Sequence, residues 1–205
     1  MSNPTLPTIA AIGALALVLS ACAATPTPPS RTPTPTPTAQ ASVSFDDGAD
    51  LPPSTDISWG DGFASDDEWE EVESLAAPGR WAYLNADQNC IASFRGGVLG
   101  DADGKNDQEA SDALIEVETG ESVVDLGEAV SDAEFLRYEP GGGRVAGRQF
   151  SLTVDGRGRF IATRAFVALD YSVTVSILCQ GGDVNAIAGE VLSKNMISVD
   201  TDAAR

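Results

Sequence analysis

The sequence predicts an α+β domain in which an antiparallel sheet of about six β-strands is covered by two amphipathic helices. Three observations support this class. Short segments of alternating apolar and polar residues are separated by turn residues, as in antiparallel strands. Two longer stretches repeat apolar residues at helical spacing. The residues before 46 are rich in threonine and proline, so we expect a disordered linker in front of the domain.

The first half of the domain is predicted to contain two strands and a helix. Residues 81–85 and 90–99 read as strands separated by a polar turn. A helix is predicted at 107–118, because apolar residues there recur on one helical face. Asn106 and Glu109 form a capping box, which places the start of this helix.

The second half is predicted to contain four strands and the second helix. The first strand lies at 134–139, before a glycine-rich segment. A meander follows, with strands at 147–154, 159–168 and 171–179. The turns fall at Asp155-Gly156 and Leu169-Asp170, and the second helix runs from 184 to 194 before a short segment at 196–199. This element order is similar to the Mog1/PsbP-like folds of some actinobacterial lipoproteins, a likeness that implies a fold and no activity.

The last strand of the meander has two distinct faces. Its apolar face carries the odd-numbered residues from Tyr171 to Cys179, which we expect to point into the core. The opposite face carries three hydroxyl side chains, Ser172, Thr174 and Ser176.

The N-terminal segment has the features of an export signal. Residues 9–19 form an apolar run of 11 residues, which is too short to cross a membrane and suits a secretory signal. The run ends in the sequence Leu19, Ser20, Ala21, Cys22. This sequence resembles the lipobox of bacterial lipoproteins.

The resemblance implies a lipid anchor. It implies a signal peptide at 1–21, cleavage between Ala21 and Cys22, and a diacylglyceryl group on the Cys22 thiol. Two acyl chains would attach the protein stably, because one chain alone binds membranes weakly. We therefore expect the protein at the cell membrane, anchored by lipid with its domain on the extracytoplasmic face. The alternative is an ordinary secreted protein that is cleaved near the same position.

Four further segments follow the signal peptide. They are a tether at 22–45, an acidic arm at 46–79, a globular domain at 80–200 and a C-terminal tail at 201–205. Six prolines and six threonines within 23–40 favour an extended polyproline II stalk. The arm carries eleven acidic residues and no lysine or arginine, and so holds most of the net charge of −19. Apolar residues around Trp69 predict a short helix at 66–76 that docks the indole on the domain.

The acidic arm has three interpretations. Its charges could simply solvate the segment and spread it. They could form a weak cation-binding surface, or they could pair with arginines of the domain and act as an electrostatic lid.

Cys90 and Cys179 are predicted to form a disulfide bond. Both occupy inward-facing strand positions in a chain predicted to be exported to an oxidising compartment. A redox pair or a metal site would need closer spacing or a third soft ligand, which the sequence does not supply.

Five arginines fall within 21 residues and could form an anion-contact surface: Arg144, Arg148, Arg157, Arg159 and Arg164. The alternative is that these arginines are ordinary charged residues at the ends and edges of strands, without a ligand. The acidic segment from Asp101 to Asp112 invites comparison with a calcium loop, but Lys105 and Asn106 depart from its pattern. The helix cap accounts for the same residues, so we predict no metal site and no cofactor.

Composition excludes several functional classes. The chain has no histidine, which removes Ser-His-Asp and Cys-His catalysis and the HExxH zinc motif. With 31 acidic against 12 basic residues, we expect no nucleic-acid binding. We expect no catalytic residues and a ligand-binding or accessory role in the cell envelope. The alternatives are an interaction protein that contacts another envelope component through the acidic arm and a hydrolase that uses two carboxylates.

Overall fold

A seven-stranded sheet forms the centre of the computed structural model, which describes residues 42–87, 89–138 and 142–201. Cys22, the signal peptide, most of the tether and residues 202–205 lie outside the described residues. No helix in the described ranges is long and apolar enough to cross a membrane.

The described residues form nine strands and four α-helices. The strands are β1 (Asp56–Trp59), β2 (Trp69–Glu71), β3 (Arg80–Asn85), β4 (Cys90–Val98), β5 (Val130–Leu136), β6 (Arg144–Val154), β7 (Arg157–Phe166), β8 (Tyr171–Gln180) and β9 (Ile197–Asp200). The helices are α1 (Phe45–Ala49), α2 (Asp107–Thr119), α3 (Val123–Leu126) and α4 (Val184–Lys194).

The main sheet has the strand order β2-β3-β4-β8-β7-β6-β5, and every neighbouring pair is antiparallel. A separate two-stranded sheet pairs β1 with β9. The antiparallel α+β class is therefore confirmed, with one strand more than the six expected. The β6–β7 hairpin turns at Asp155 and Gly156, whose φ angles of 49° and 74° match a two-residue turn with left-handed backbone at both positions.

The two long helices cover opposite faces of the main sheet. In β7, Phe160 and Ala162 belong to the same core cluster as the buried residues of α4. Ile161 and Ala165, which point to the other face, belong to clusters with the buried residues of α2. Helix α2 begins as predicted, since the Asn106 side chain accepts from the Glu109 amide and Glu109 accepts from the Asn106 amide.

Residues 46–79, expected as an acidic arm in front of the domain, supply part of the same core. Ile57, Phe63 and Trp69 are buried in the cluster that contains α4. Trp69 docks as expected, because its ring stacks on Phe63 at 4.3 Å and its Nε1 donates to Glu190 of α4 at 3.0 Å. The predicted helix at 66–76 is wrong, since these residues form β2 and a short 3-10 turn at Glu73–Leu75.

The predicted disulfide between Cys90 and Cys179 is present. The two residues face each other in register on β4 and β8, with their Cα atoms 4.1 Å apart. The bond joins two central strands that are separated by 89 residues in sequence, and both cysteines are buried. It therefore closes a long loop at the middle of the sheet.

Candidate ligand-binding site

The face of the sheet covered by α2 is only partly closed. Helix α2 packs on β6 and β7, which leaves a concave region over β3, β4 and β8. A cavity of about 470 Å³ lies there, bounded by residues 74–77 and by Glu118 near the end of α2. The sheet residues that line it are Arg80, Trp81, Ala82, Ser93, Phe94, Arg95, Thr174 and Ser176.

Strand register places the polar lining in two rows across the sheet. Arg80 pairs with Arg95, Arg95 pairs with Thr174, and Thr174 pairs with Thr163. We call these four residues the arginine–threonine row. In the neighbouring row, Ser93 pairs with Ser176. Residues paired in register lie on the same face of a sheet, so both rows present their side chains to the α2 face.

Thr163 and Thr174 differ in their hydrogen bonds although they are cross-strand neighbours. Both are buried, with 0% and 3% of their surface exposed. Thr163 Oγ1 donates to the carbonyl oxygen of Ser111 in α2 at 3.0 Å. Thr174 Oγ1 is inaccessible and has no hydrogen-bond partner among the described residues. A buried hydroxyl without a partner is destabilising, so its presence at the cavity wall calls for a functional reason.

The charged lining of the cavity centres on Glu118. Arg95 Nη2 lies 3.1 Å from Glu118 Oε1, in an ion pair whose side chains are about one third and one quarter exposed. The Arg159 guanidinium donates to the main-chain oxygen of Glu118. Arg80 is exposed, and its side chain has no ion pair within the described part of the chain. Arg95 and Arg159 thus both contact Glu118, and Arg80 is the cross-strand neighbour of Arg95.

The five arginines predicted as an anion-contact surface occupy different environments. Arg144 pairs with Glu134 at 2.9 Å on the outer part of the sheet. Arg148 pairs with Asp112 at 2.6 Å and Asp132 at 2.5 Å. Burial acts to lower the pKa of Arg148, but the two carboxylates outweigh it and the pKa is raised. Arg157 is exposed near the β6–β7 turn. Of the five, Arg159 is the one whose guanidinium reaches the edge of the cavity, through Glu118.

Arg164 is fully buried and has a structural role. Its Nη2 lies 2.8 Å from Asp107 Oδ2 and 2.9 Å from the Ser44 carbonyl oxygen, and its Nη1 donates to the Ala146 carbonyl oxygen. Burial lowers the pKa of Arg164 to about 10 and raises that of Asp107, against the opposing effect of their mutual attraction. The pair joins α1, α2, β6 and β7.

The same ion pair bears on the calcium-loop comparison and on the hydrolase alternative. The Asp107 carboxylate is directed to Arg164 and to the Val167 amide, away from the acidic loop before it. Within the described ranges, no group of three acidic or cysteine side chains is arranged to hold a metal ion. Burial raises the pKa of Asp107, but the charged neighbour of this carboxyl group is a guanidinium rather than a second carboxylate.

Most of the cavity residues could not be singled out from sequence. The alternation in the last strand did place Ser172, Thr174 and Ser176 on a face away from the core. Nothing in the sequence indicated that Arg80 and Arg95 would lie beside Thr174, because these partners come from strands up to 94 positions apart.

A comparison of the chain with protein-family models and with curated protein sequences finds no match.

Proposed function

We propose that this protein is a lipid-anchored lipoprotein of the cell envelope that binds a small polar ligand in the cavity on the α2 face of its sheet, without catalysing a reaction. The observation that carries the binding role is the Thr174 hydroxyl, which is buried at the cavity wall and unpartnered within the described ranges. The hydroxyls of Ser93 and Ser176 line the same cavity. A ligand that fills about 470 Å³ would contact the side chains of Ser93 and Ser176, and a change of the Thr174 rotamer would bring its buried hydroxyl to the ligand. Cavities of this size are typical of small-molecule sites.

The lining supports a binding site more than a catalytic one. It holds arginines, hydroxyl groups, the carboxylate of Glu118 and apolar residues that include Trp81 and Phe94. Glu118 Oε1 already lies 3.1 Å from Arg95, and within the described residues no second carboxylate lines the cavity to pair with it in catalysis. The chain also has no histidine. Recognition of polar groups by fixed donors is the chemistry that remains.

The binding role is tested by retention of a ligand. The purified full chain is incubated with a small-molecule extract of cell envelopes, exchanged into clean buffer and examined by native mass spectrometry. We expect a small adduct on the natural protein and its loss in Ser176→Trp, which fills the cavity. Val124→Trp is the matched control, because Val124 is 85% exposed on α3 and does not line the cavity. No adduct, or the same adduct on both variants, would exclude the cavity as the site.

The anchor is tested separately. We expect the natural chain to partition with membranes and to carry the added mass of a diacylglyceryl group on Cys22. Cys22→Ala should move the protein to the soluble fraction and remove that mass. Unchanged fractionation and mass in the variant would rule out the lipoprotein proposal.

A second candidate role is contact with another envelope protein through the acidic segment. Its acids are exposed with the exception of the half-buried Asp66, while Ile57, Phe63 and Trp69 hold the segment against the core. The segment therefore presents a fixed acidic surface, which suits a basic partner. Replacement of Asp46, Asp50 and Asp56 by Asn should abolish that contact and leave ligand retention in the cavity unchanged.

A further inference from the structure

We infer that the cavity recognises an anionic group on its ligand, a carboxylate or a phosphate, and that the Glu118 side chain occupies the place of that group in the free protein. This inference rests on the proposed function, since it specifies the chemistry of the same cavity.

Two arginines lie opposite each other at the cavity. Arg80 and Arg95 are paired in register on β3 and β4, so their side chains leave the same face of the sheet as direct neighbours. Two like charges in this position repel each other unless an anion lies between them. Both arginines line the cavity, so the repulsion is relieved when the cavity holds an anionic group.

The arginine–threonine row continues with a hydroxyl that has no hydrogen-bond partner among the described residues. This hydroxyl is the buried Oγ1 of Thr174, which is paired with Arg95. The two guanidinium groups offer several donors to the oxygens of a carboxylate or phosphate, and a change of the Thr174 rotamer would add its hydroxyl, which is inaccessible in the free protein. Such charge-assisted hydrogen bonds are the strong contacts in anion sites.

Glu118 is held at the cavity by a partly exposed ion pair. Its carboxylate lies 3.1 Å from Arg95, at the boundary of the cavity. The pair is partly exposed to solvent, and such pairs contribute little to stability. A ligand anion can therefore displace Glu118 from Arg95 at small cost. Meanwhile the Arg159 guanidinium holds the main-chain oxygen of Glu118, which keeps the end of α2 in place.

The test uses the full chain with inorganic phosphate and with acetate as probes, at ionic strength held constant with chloride, and measures affinity by calorimetry. Glu118→Gln removes the carboxylate that competes with the probe for Arg95. The substitution should therefore tighten binding of at least one probe about fivefold, the factor expected from loss of one exposed ion pair. Glu121→Gln, which makes the same charge change on an exposed residue that lies outside the cavity lining, should leave affinity unchanged. Arg95→Gln should weaken binding at least about tenfold, while Arg157→Gln on the β6–β7 hairpin should not.

Each other outcome overturns the inference. Equal effects of the two glutamate variants, or of the two arginine variants, would indicate adventitious binding governed by net charge. Absence of probe binding to both the natural chain and Glu118→Gln would exclude an anionic group. In that case, an envelope adduct that is lost in Ser176→Trp would still support a ligand site for an uncharged molecule. Absence of both the probe and the adduct would remove the proposed function as well.

Discussion

Thr174 is the residue on which the binding proposal depends most. Its cross-strand neighbour Thr163 has the same side chain, the same burial and a hydrogen-bond partner in Ser111. A comparison of the two threonines therefore separates the effect of a hydrogen-bonded hydroxyl, which stabilises the fold, from the effect of a buried hydroxyl without a partner among the described residues.

We predict opposite effects on stability for the two isosteric threonine substitutions. Thr163→Val should lower the free energy of unfolding by about 1 kcal/mol, because it removes a hydrogen bond and leaves the Ser111 carbonyl oxygen without that donor. Thr174→Val should raise the free energy of unfolding by about 1 kcal/mol, because it removes a buried unpaired hydroxyl. Urea denaturation of the ligand-free protein measures both changes. Equal destabilisation by the two variants would mean that Thr174 has a partner within the protein.

Lys194 at the end of α4 holds the acidic segment to the domain. Its Nζ lies 2.6 Å from Asp66 Oδ2 and 2.8 Å from Glu190 Oε1. The hydrogen bonds from Lys194 lower the pKa of Asp66 below its ordinary 3.8 and that of Glu190 below its ordinary 4.5. Lowered carboxylate pKa values stabilise the fold above those ordinary values, and the stabilisation is lost as the pH falls through the lowered values.

We therefore predict that Lys194→Met weakens the acid dependence of stability. As the pH falls below 4.5, the natural chain should lose stability, partly through these two groups. The variant should lose less stability over the same pH range. Lys105→Met is the control, because Lys105 is exposed and lies in the loop before α2. Urea midpoints measured from pH 3 to 7 test this. Identical pH profiles for the natural chain and Lys194→Met would contradict it.

At the scale of elements, the short helix α1 is fixed by the buried ion pair beneath it. A Cβ at Gly48 would lie 2.0 Å from Asp107 Oδ2 and 2.1 Å from Arg164 Nη2. The main chain of Ser44 just before α1 also accepts a hydrogen bond from Arg164. The helix can therefore pack here only with glycine at position 48.

We predict that Gly48→Ala lowers the free energy of unfolding by about 3 kcal/mol or more, since it displaces one member of a buried ion pair. Gly189→Ala is the matched control, because position 189 is exposed on α4 with nothing within 4 Å of the added methyl group. That control should gain about 0.5–1 kcal/mol from helix propensity. Chemical denaturation distinguishes the two. A Gly48→Ala protein of natural stability would mean that α1 does not pack on the Asp107–Arg164 pair.

The elements that sequence predicted well are those set by local chemistry. The capping box of Asn106 and Glu109 fixed the start of α2, and the Asp155-Gly156 turn fixed the β6–β7 hairpin. The helix expected at 66–76 failed because tertiary contacts decide the conformation there. Trp69 pairs with Asn85 of β3 and stacks on Phe63. Neither contact is encoded by spacing within the segment.

The candidate site was less predictable than the fold because it is assembled by register. The polar face of β8 could be derived from the alternation around Thr174. Its meeting with Arg95 and Arg80 depends on pairings between strands distant in sequence, which no local pattern specifies. Conversely, five arginines that are close in sequence are separated by the fold, and Arg164 is buried with Asp107.

At the scale of the whole molecule, charge is unevenly distributed. The net charge is −19, and the segment from 46 to 73 contributes −11 through acids that are mostly exposed. Arg80 and Arg95 instead line one cavity, and Arg159 reaches its edge. The acidic exterior repels anions from the rest of the surface, whereas the arginines favour anion binding in the cavity.

We propose that the protein binds its ligand in this cavity rather than on the acidic segment. Hydrogen–deuterium exchange of the full chain with and without the envelope extract distinguishes the two surfaces. We expect slower exchange at the amides of β3, β4 and β8 around Arg95 and Thr174 and in residues 74–77, with no change in residues 45–61. Protection confined to residues 45–61, or no protection in either region, would contradict it.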